Sequence, residues 1–149
     1  MKTIVNLSIL SFLLLSLSNC IHQESRQLAP NISQHRVAKM CTFYVRKNAG
    51  DDYQLGEDIV SQLMRMGYRA TSGSPASSPS KVDAVISYMD NWHWDMSPYL
   101  FSLDAKLHEP GSDLVIATAK ITRSSLVRKS QETMVRETLS KLLQAPAPE

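Results

Sequence analysis

The second half of the chain alternates between apolar and polar residues, and no other feature of the sequence constrains the fold as strongly. Three runs with a period of two residues follow one another between positions 82 and 121. Successive side chains of a strand point to opposite sides of a sheet, so this pattern is typical of strands buried on one face. Turn-forming segments separate the runs, and the sequence therefore predicts an antiparallel meander of three strands. The expected inward residues are Val82, Ala84, Ile86 and Tyr88, then Tyr99, Phe101, Leu103, Ala105 and Leu107, then Val115, Ala117, Ala119 and Ile121.

A strand–helix–strand unit precedes the meander. The apolar segments MCTFYV and YRAT predict two strands, and the segment between them has a helical stripe of Leu55, Ile59, Leu63 and Met66. Asp51 or Asp52 is the expected helix cap, and Gly67 is the expected stop. A connection of this length favours a right-handed parallel crossover between the two strands.

A last helix is expected from about Ser130, with Met134, Val135, Leu139 and Leu142 on its inner side. With 149 residues, the chain is long enough for one domain with its own core. The elements together predict an α+β two-layer sandwich. Its mixed sheet has about five strands, and both helices cover one face.

The first twenty residues determine the expected compartment. Lys2 is followed by an apolar run that is densest from Ile9 to Leu17, which is the pattern of a secretory signal. The run ends in Leu17-Ser18-Asn19-Cys20, which resembles the lipobox of bacterial lipoproteins. That resemblance implies cleavage before Cys20 and acylation of its thiol and amine. The later apolar stretches are only strand-length and no Lys or Arg cluster supports an amphipathic helix, so anchoring is expected to depend on Cys20 alone. Ile21, rather than Asp, follows the cysteine, which resembles the sorting pattern of outer-membrane lipoproteins that face the periplasm.

Asn19 departs from the family pattern, which has Gly, Ala or Ser at this position. Ser16-Leu17-Ser18 therefore stays open as a cleavage site for an ordinary signal peptidase. The expected organisation is a signal peptide over residues 1–19, a lipidated cysteine and flexible tether over 20–36, a single globular domain over 37–144 and a disordered tail over 145–149. The second cysteine, Cys41, is expected to be a small buried hydrophobe.

The segment SYMDNWHWDMSPYL, residues 87–100, holds both tryptophans of the chain. If Ser97-Pro98 is the centre of a hairpin, Trp94 faces Phe101, Trp92 faces Leu103 and Tyr88 faces Leu107. In this register the apolar residues of one strand lie opposite the apolar residues of the other. It therefore predicts that both tryptophans form a wall of the core. A bulge near Asp90-Asn91 would accommodate the charge of Asp90. The pattern of Tyr88, Trp92, Trp94, Asp95, Tyr99 and Leu100 also resembles a group of small bacterial lipoproteins, a resemblance that implies fold and location but no activity.

The polar residues between the inward ones define a second face of the sheet. In the predicted register His93 lies beside Ser102, and Asn91 lies beside Asp104. The face is either simply solvated or a partner-binding surface, in which case the candidate residues are Asn91, His93, Ser102, Asp104, Lys106, Thr118 and Lys120. His93 and Asp95 lack the further ligands of a metal site, and no Gly-rich phosphate loop is present, so neither a metal nor a cofactor is expected.

Three functions compete at this point. The leading hypothesis is a non-enzymatic, lipid-anchored module that binds another envelope protein. The alternative is a cell-wall glycan-binding lipoprotein that uses Trp92, Trp94 and Tyr99 as stacking surfaces. The third is an enzyme that uses Asp90, His93 and Asp95 for acid–base chemistry. A formal net charge of +2 gives no general case for nucleic-acid binding.

Overall fold

The computed structural model describes residues 22–30, 32, 34–74, 79 and 81–144. The predictions made for the signal peptide, for Cys20 and for the tail over 145–149 lie outside these residues. In chain order the elements are β1 (His22–Leu28), α1 (Gln34–Ala38), β2 (Thr42–Arg46), α2 (Leu55–Arg65), β3 (Arg69–Gly73), β4 (Ala84–Asp95), β5 (Ser97–His108), β6 (Val115–Arg123) and α3 (Gln131–Leu143), with a short 3-10 turn at Ser125–Val127 before α3.

The strands form one mixed sheet in the order β1-β6-β5-β4-β2-β3. β2 runs parallel to both β3 and β4, as the strand–helix–strand pattern predicted. β4, β5, β6 and β1 follow in antiparallel pairs. The α+β class is therefore confirmed, and the described residues form six strands instead of about five, together with three helices.

The two long helices lie together on one face of the sheet. α2 packs on β2 and β3, α3 packs on β5 and β6, and the helices contact each other. Their inner residues meet alternate sheet residues in one core, which includes the predicted Leu55, Ile59 and Leu63 of α2 and Met134, Val135, Leu139 and Leu142 of α3. The opposite side of the sheet, which we call the open face, lies away from α2 and α3.

Of the two predicted caps of α2, Asp51 binds the first N–H groups of the helix, although the N-cap position itself is Gln54. The Asp51 carboxylate accepts hydrogen bonds from the backbone N–H groups of Leu55 and Gly56, both at 2.7 Å. It also accepts one from the Tyr88 hydroxyl at 2.9 Å. Burial, reinforced by Asp51, raises the pKa of Tyr88 well above its usual range, so the hydroxyl stays protonated and remains a donor. Gly67 ends the helix with a φ of 89°, which favours glycine.

The prediction of a flexible tether up to residue 36 is wrong for β1 and for the start of α1. β1 pairs with β6 along its whole length, from His22 opposite Arg123 to Leu28 opposite Ala117. The sequence conceals this strand because two of its helix-facing residues, Glu24 and Arg26, are charged and give no apolar alternation. The boundary placed at residue 37 falls inside α1.

Charged contacts on the helix side hold β1 in place. Glu24 binds the buried guanidinium of Arg123 at 2.5 Å and Lys141 of α3 at 3.0 Å. Arg26 donates to the carbonyl of Leu142 at 3.4 Å and to the side chain of Gln34 at 2.6 Å. A cation at the end of α3 is stabilised by the free carbonyls and by the helix dipole. β1 is thus an integral edge strand of the domain.

The hairpin between β4 and β5 turns at Met96 and not at the predicted Ser97-Pro98. Asp95 pairs with Ser97 across Met96, whose φ of 58° closes the tight turn. Trp92 therefore lies opposite Leu100, and Tyr88 opposite Ala105. The predicted register is wrong because it assumed a turn centred on Ser97-Pro98.

A bulge interrupts the same hairpin at the position that the sequence indicated. The register shifts between Asn91 and Trp92, and Phe101 is the extra residue on β5. The extra residue changes which β5 side chains face the helices, so Leu100 is buried in place of Phe101. Tyr88 belongs to the core, whereas Trp92 is only half-buried at its margin.

Two further expectations differ from the structure. Cys41 is exposed, because it precedes β2 and is not part of it. Trp94 is not part of a core wall, since 76% of its surface is accessible. In the ranges given above, the structure contains no helix with the length and apolar character needed to cross a membrane.

Candidate functional site

The β4–β5 hairpin extends past the end of the rest of the sheet. β5 pairs with β6 only from Ser102 onwards, so residues 97–101 lie beyond the last paired residue of β6. Five residues of strand span roughly 16 Å. The hairpin tip (residues 94–98) therefore projects beyond the other strands of the sheet.

Large apolar side chains are exposed at this projecting end. Trp94 is 76% accessible, and Met96, at the turn, is 93% accessible. Leu126, in the 3-10 turn that follows β6, is 84% accessible. Isolated exposed apolar residues are ordinary, but three large ones at one end of a small domain indicate a contact surface.

Arg128 joins the 3-10 turn to the hairpin tip. Its guanidinium donates to the Asp95 carbonyl at 3.2 Å and to the Ser97 hydroxyl at 3.4 Å. Both acceptors are neutral, so these bonds hold the tip without cancelling the positive charge. Leu126 lies two residues before Arg128 and is thereby brought near the hairpin tip.

An aromatic cleft lies between the hairpin and the beginning of α3. The rings of Tyr53 and Trp92 stack with centroids 3.8 Å apart and planes inclined by 19°. The Trp92 indole N–H donates to the Asp90 carboxylate at 2.8 Å, which satisfies the donor of this half-buried side chain. Tyr99, Arg128 and Lys129 complete the walls of a cleft of about 450 Å³, a volume typical of small-ligand sites.

The seven predicted partner-binding residues all lie on the open face. Asn91 pairs with Ser102, and Asp104 lies between Lys120 and Met89 on the neighbouring strands. Lys106 lies between Thr118 and Ser87. Their accessibilities differ, since Ser102 is buried and Asp104 and Thr118 are intermediate, while Asn91, His93, Lys106 and Lys120 are exposed. His93 lies opposite Tyr99 instead of beside Ser102, and it stacks on Phe101 with ring centroids 4.0 Å apart.

The residues proposed for acid–base chemistry are not brought together. Asp90 pairs with the core residue Leu103 on the helix side, where it is bonded to Trp92. His93 and Asp95 alternate with it and lie on the other face. Across the part of the chain that the structure describes, no three His, Cys, Asp or Glu side chains converge closely enough to hold a metal ion.

Sequence reasoning missed a Ser–His pair on the open face, in which His108 is buried and Ser87 half-buried. The Ser87 hydroxyl lies 2.7 Å from Nε2 of His108, and Nδ1 of His108 lies 3.1 Å from the carbonyl of Asp113. Asp113 also pairs with Arg46 of β2. The pair thus fixes the loop between β5 and β6 to the sheet, at the end opposite to the hairpin tip.

Three residues of the projecting end were also missed, namely Tyr53, Leu126 and Arg128. Leu126 and Arg128 come from a segment outside the predicted strands and helices. Tyr53 was expected at the start of the helix, directly after its cap, whereas the structure places it in the loop before α2. Only the tertiary arrangement of the loops brings them to the hairpin. The sequence did contain one signal for this surface, namely large apolar residues next to turn-forming ones in the segment WDMSP.

No protein-family model matches the chain, and no curated protein matches it in sequence. Among solved structures, the fold is similar to that of the PelC dodecamer from Paraburkholderia phytofirmans, at a TM-score of 0.54 and 13% identity over 85% of this chain and 99% of that one. A single-substitution variant of the same PelC dodecamer gives a TM-score of 0.54 at 12% identity, over 83% of this chain and 98% of that one. Identities at this level show a shared fold alone.

Proposed function

We propose that this chain is a lipid-anchored, periplasm-facing lipoprotein of the bacterial outer membrane that acts as a non-enzymatic assembly module. Cys20 carries the acyl chains, and the open face of the sheet binds another envelope protein. One observation carries the proposal: all seven candidate residues share the face that α2 and α3 leave uncovered.

Two further points support this proposal. The lipobox-like Leu17-Ser18-Asn19-Cys20 immediately precedes an ordered domain, as an anchored module requires. PelC, which has a similar fold, forms a dodecamer. The class of partner therefore includes further copies of this chain.

Acylation is tested by labelling with radioactive palmitate in a bacterial host. Label is expected in the wild-type protein and in Cys41→Ser, and not in Cys20→Ser. Cys41 is the matched control, because it is the other cysteine of the chain and is exposed. Blocking lipoprotein signal peptidase should accumulate the precursor. A soluble periplasmic product that begins at Asn19 would contradict the anchor.

Partner binding is tested by crosslinking in intact envelopes. The double variant Asp104→Lys, Lys106→Glu reverses two charges on the open face while it leaves the net charge unchanged. We expect it to lose a crosslinked species that the wild type forms. The matched control, Arg65→Glu with Glu132→Lys, swaps an exposed ion pair on the helix side. An unchanged crosslinking pattern in the open-face variant would contradict the assignment of partner binding to the open face.

A second candidate function is binding of cell-wall glycan in the aromatic cleft. The stacked Tyr53 and Trp92 and the nearby Tyr99 support it, because sugar rings pack on aromatic faces, and Arg128 suits a sugar carboxylate. Trp94 does not line the cleft, so it is no longer a candidate for stacking on a sugar there.

This second candidate is tested with the disaccharide of N-acetylglucosamine and N-acetylmuramic acid. Calorimetric titration should detect binding to the wild type and to Trp94→Ala, and weakened binding to Tyr53→Ala and Tyr99→Ala. Equal binding by all four proteins would exclude the cleft as the sugar site.

A further inference from the structure

The start of β1 and the hairpin tip lie at the same end of the sheet. His22 pairs with Arg123, the last residue of β6. β5 begins at that end too, because its Ser102 pairs with Thr122. Antiparallel pairing therefore sets the entry point of the chain, the end of β6 and the β4–β5 turn on one side of the domain.

The chain between Cys20 and the start of β1 is shorter than the part of the hairpin that extends beyond that level. Cys20 precedes His22 by two residues, which span at most about 7 Å of extended chain. Phe101 is level with Arg123 and His22, and the hairpin continues beyond them by residues 97–100, roughly 13 Å of strand. If Cys20 is held at a membrane surface, the hairpin tip reaches that surface unless the whole domain tilts away from it.

The side chains at this end have the chemistry of the lipid–water interface. Trp94 has an apolar ring with a polar N–H, a type of residue enriched at membrane interfaces. Met96 and Leu126 supply further exposed apolar surface at this end of the domain. Arg128 contributes a positive charge whose hydrogen-bond acceptors, the Asp95 carbonyl and the Ser97 hydroxyl, are neutral. Anionic headgroups attract such a cation.

We propose that the hairpin tip, together with Leu126, inserts into the interface of the same lipid bilayer that holds Cys20. The partner of this exposed apolar surface is thus the lipid bilayer. The domain is held at two points, by acyl chains and by the hairpin tip, which fixes its orientation on the membrane. The inference rests on the proposed acylation for its geometry, but the contact at the tip has its own chemistry and can be tested separately.

The Asp95 carboxylate is the feature that opposes this contact. It lies on the open-face side of β4, whereas Trp94 lies on the helix side. The contact is therefore made by the side of the hairpin tip that carries Trp94, Met96 and Arg128. Lys129 adds less, because it is paired with Glu137.

The test uses full-length acylated protein reconstituted into vesicles of phosphatidylglycerol and acyl-brominated phosphatidylcholine. Bromine quenches a tryptophan that enters the bilayer. In Trp92→Phe the remaining Trp94 should be strongly quenched, and its emission should shift to the blue. In Trp94→Phe the remaining Trp92, stacked on Tyr53, should be quenched far less. Equal quenching of the two, or accessibility of Trp94 to aqueous acrylamide that vesicles do not change, would overturn the proposal.

A second measurement keeps the test valid if Trp92→Phe disturbs the fold. In Cys41→Ser, Met96→Cys, an environment-sensitive fluorophore on residue 96 should report an apolar surrounding in vesicles. The same label at Ser61→Cys on the exposed side of α2 should report water. A polar signal at residue 96 would contradict insertion.

The unacylated Cys20→Ser protein separates this inference from the proposed function. It should bind the same vesicles weakly, and Arg128→Gln should lower that binding by about fivefold, as expected for one cation at an anionic surface. If palmitate labelling fails while Trp94 is still quenched in vesicles, acylation is wrong and the lipid contact stands. If labelling succeeds while Trp94 stays in water, only the contact is wrong.

Discussion

Arg123 is among the largest fully buried side chains of the domain, and two carboxylates compensate its charge. Its guanidinium lies 2.5 Å from Glu24 of β1 and 2.9 Å from Glu137 of α3. A buried cation is tolerated only when it is paired and hydrogen-bonded. This one residue therefore joins the edge strand, the end of β6 and the last helix.

Replacement of Arg123 by Met should destabilise the domain by about 2–3 kcal/mol. The loss of stability is larger when the charge that remains after the substitution is fully buried. Here Glu24 and Glu137 are partly solvated, so they recover some hydration. The midpoint of urea unfolding measures the change. The control Arg65→Met removes an exposed pair with Glu132 and should cost about 0–1 kcal/mol. Equal losses would mean that the Arg123 pair adds no special stability.

Glu24 makes the stability of the domain depend on pH. Hydrogen bonds from Arg123 and then from Lys141 lower the pKa of its carboxyl from 4.5 to about 2. A lowered pKa in the folded state stabilises the protein above the unfolded-state pKa, and this contribution disappears as the pH falls through the folded-state pKa. The advantage of wild type over Glu24→Gln should thus be complete above pH 5 and vanish towards pH 2. Urea midpoints measured across this range check it, and a pH-independent difference would contradict the pairing.

At the scale of elements, Asp51 connects the start of α2 to the sheet. Asp51→Ala removes a helix cap, which is worth about 1 kcal/mol, and it leaves the buried Tyr88 hydroxyl without its acceptor. We expect a loss of about 2–3 kcal/mol in the free energy of unfolding.

Asp52→Ala is the matched control for that change, since the sequence alone cannot distinguish these neighbours as caps. Asp52 is exposed, so its replacement should shift stability by about 0.5 kcal/mol or less. Chemical denaturation of both variants decides the assignment. A larger loss for Asp52→Ala would refute it.

Periodicity predicted those elements whose inward residues are apolar. The stripe of α2, the inner side of α3 and the alternation from Ala84 to Tyr88 all correspond to buried positions. β1 was missed because its helix-facing Glu24 and Arg26 are charged, and their partners on β6 and α3 are distant in sequence. The turn at Met96 was misplaced because a non-glycine residue with positive φ has no strong sequence signal.

The candidate site was predictable only in part, for the same reason. Alternation correctly assigned the seven polar residues to one face. It did not predict the aromatic cleft, which needs Tyr53 from the loop before α2 and Arg128 from the segment before α3. Such sites depend on the tertiary arrangement of loops, which local patterns do not encode.

At the scale of the whole molecule, the distance between Cys20 and the domain decides whether the hairpin tip meets the membrane. A flexible insert of ten Gly and Ser residues between Ile21 and His22 would add a reach of about 17 Å. We expect quenching of Trp94 by brominated lipid to fall, because the hairpin tip is no longer held at the surface, while palmitate labelling stays unchanged. The same insert placed after Gln144 is the control and should leave quenching as it was. Quenching that the first insert leaves undiminished would mean that the short spacing does not matter.

The position of β1 also determines how the domain resists mechanical load. A force that pulls the domain away from a membrane-held Cys20 acts along the axis of β1, because the chain enters this strand at His22. Such a force shears β1 against β6 and loads its backbone hydrogen bonds together, whereas a perpendicular force would open them one after another. The contacts of Glu24 and Arg26 with α3 add side-chain resistance in the same direction. An edge strand that follows the anchor directly is therefore a connection suited to transmitting tension between a bilayer and whatever the domain holds.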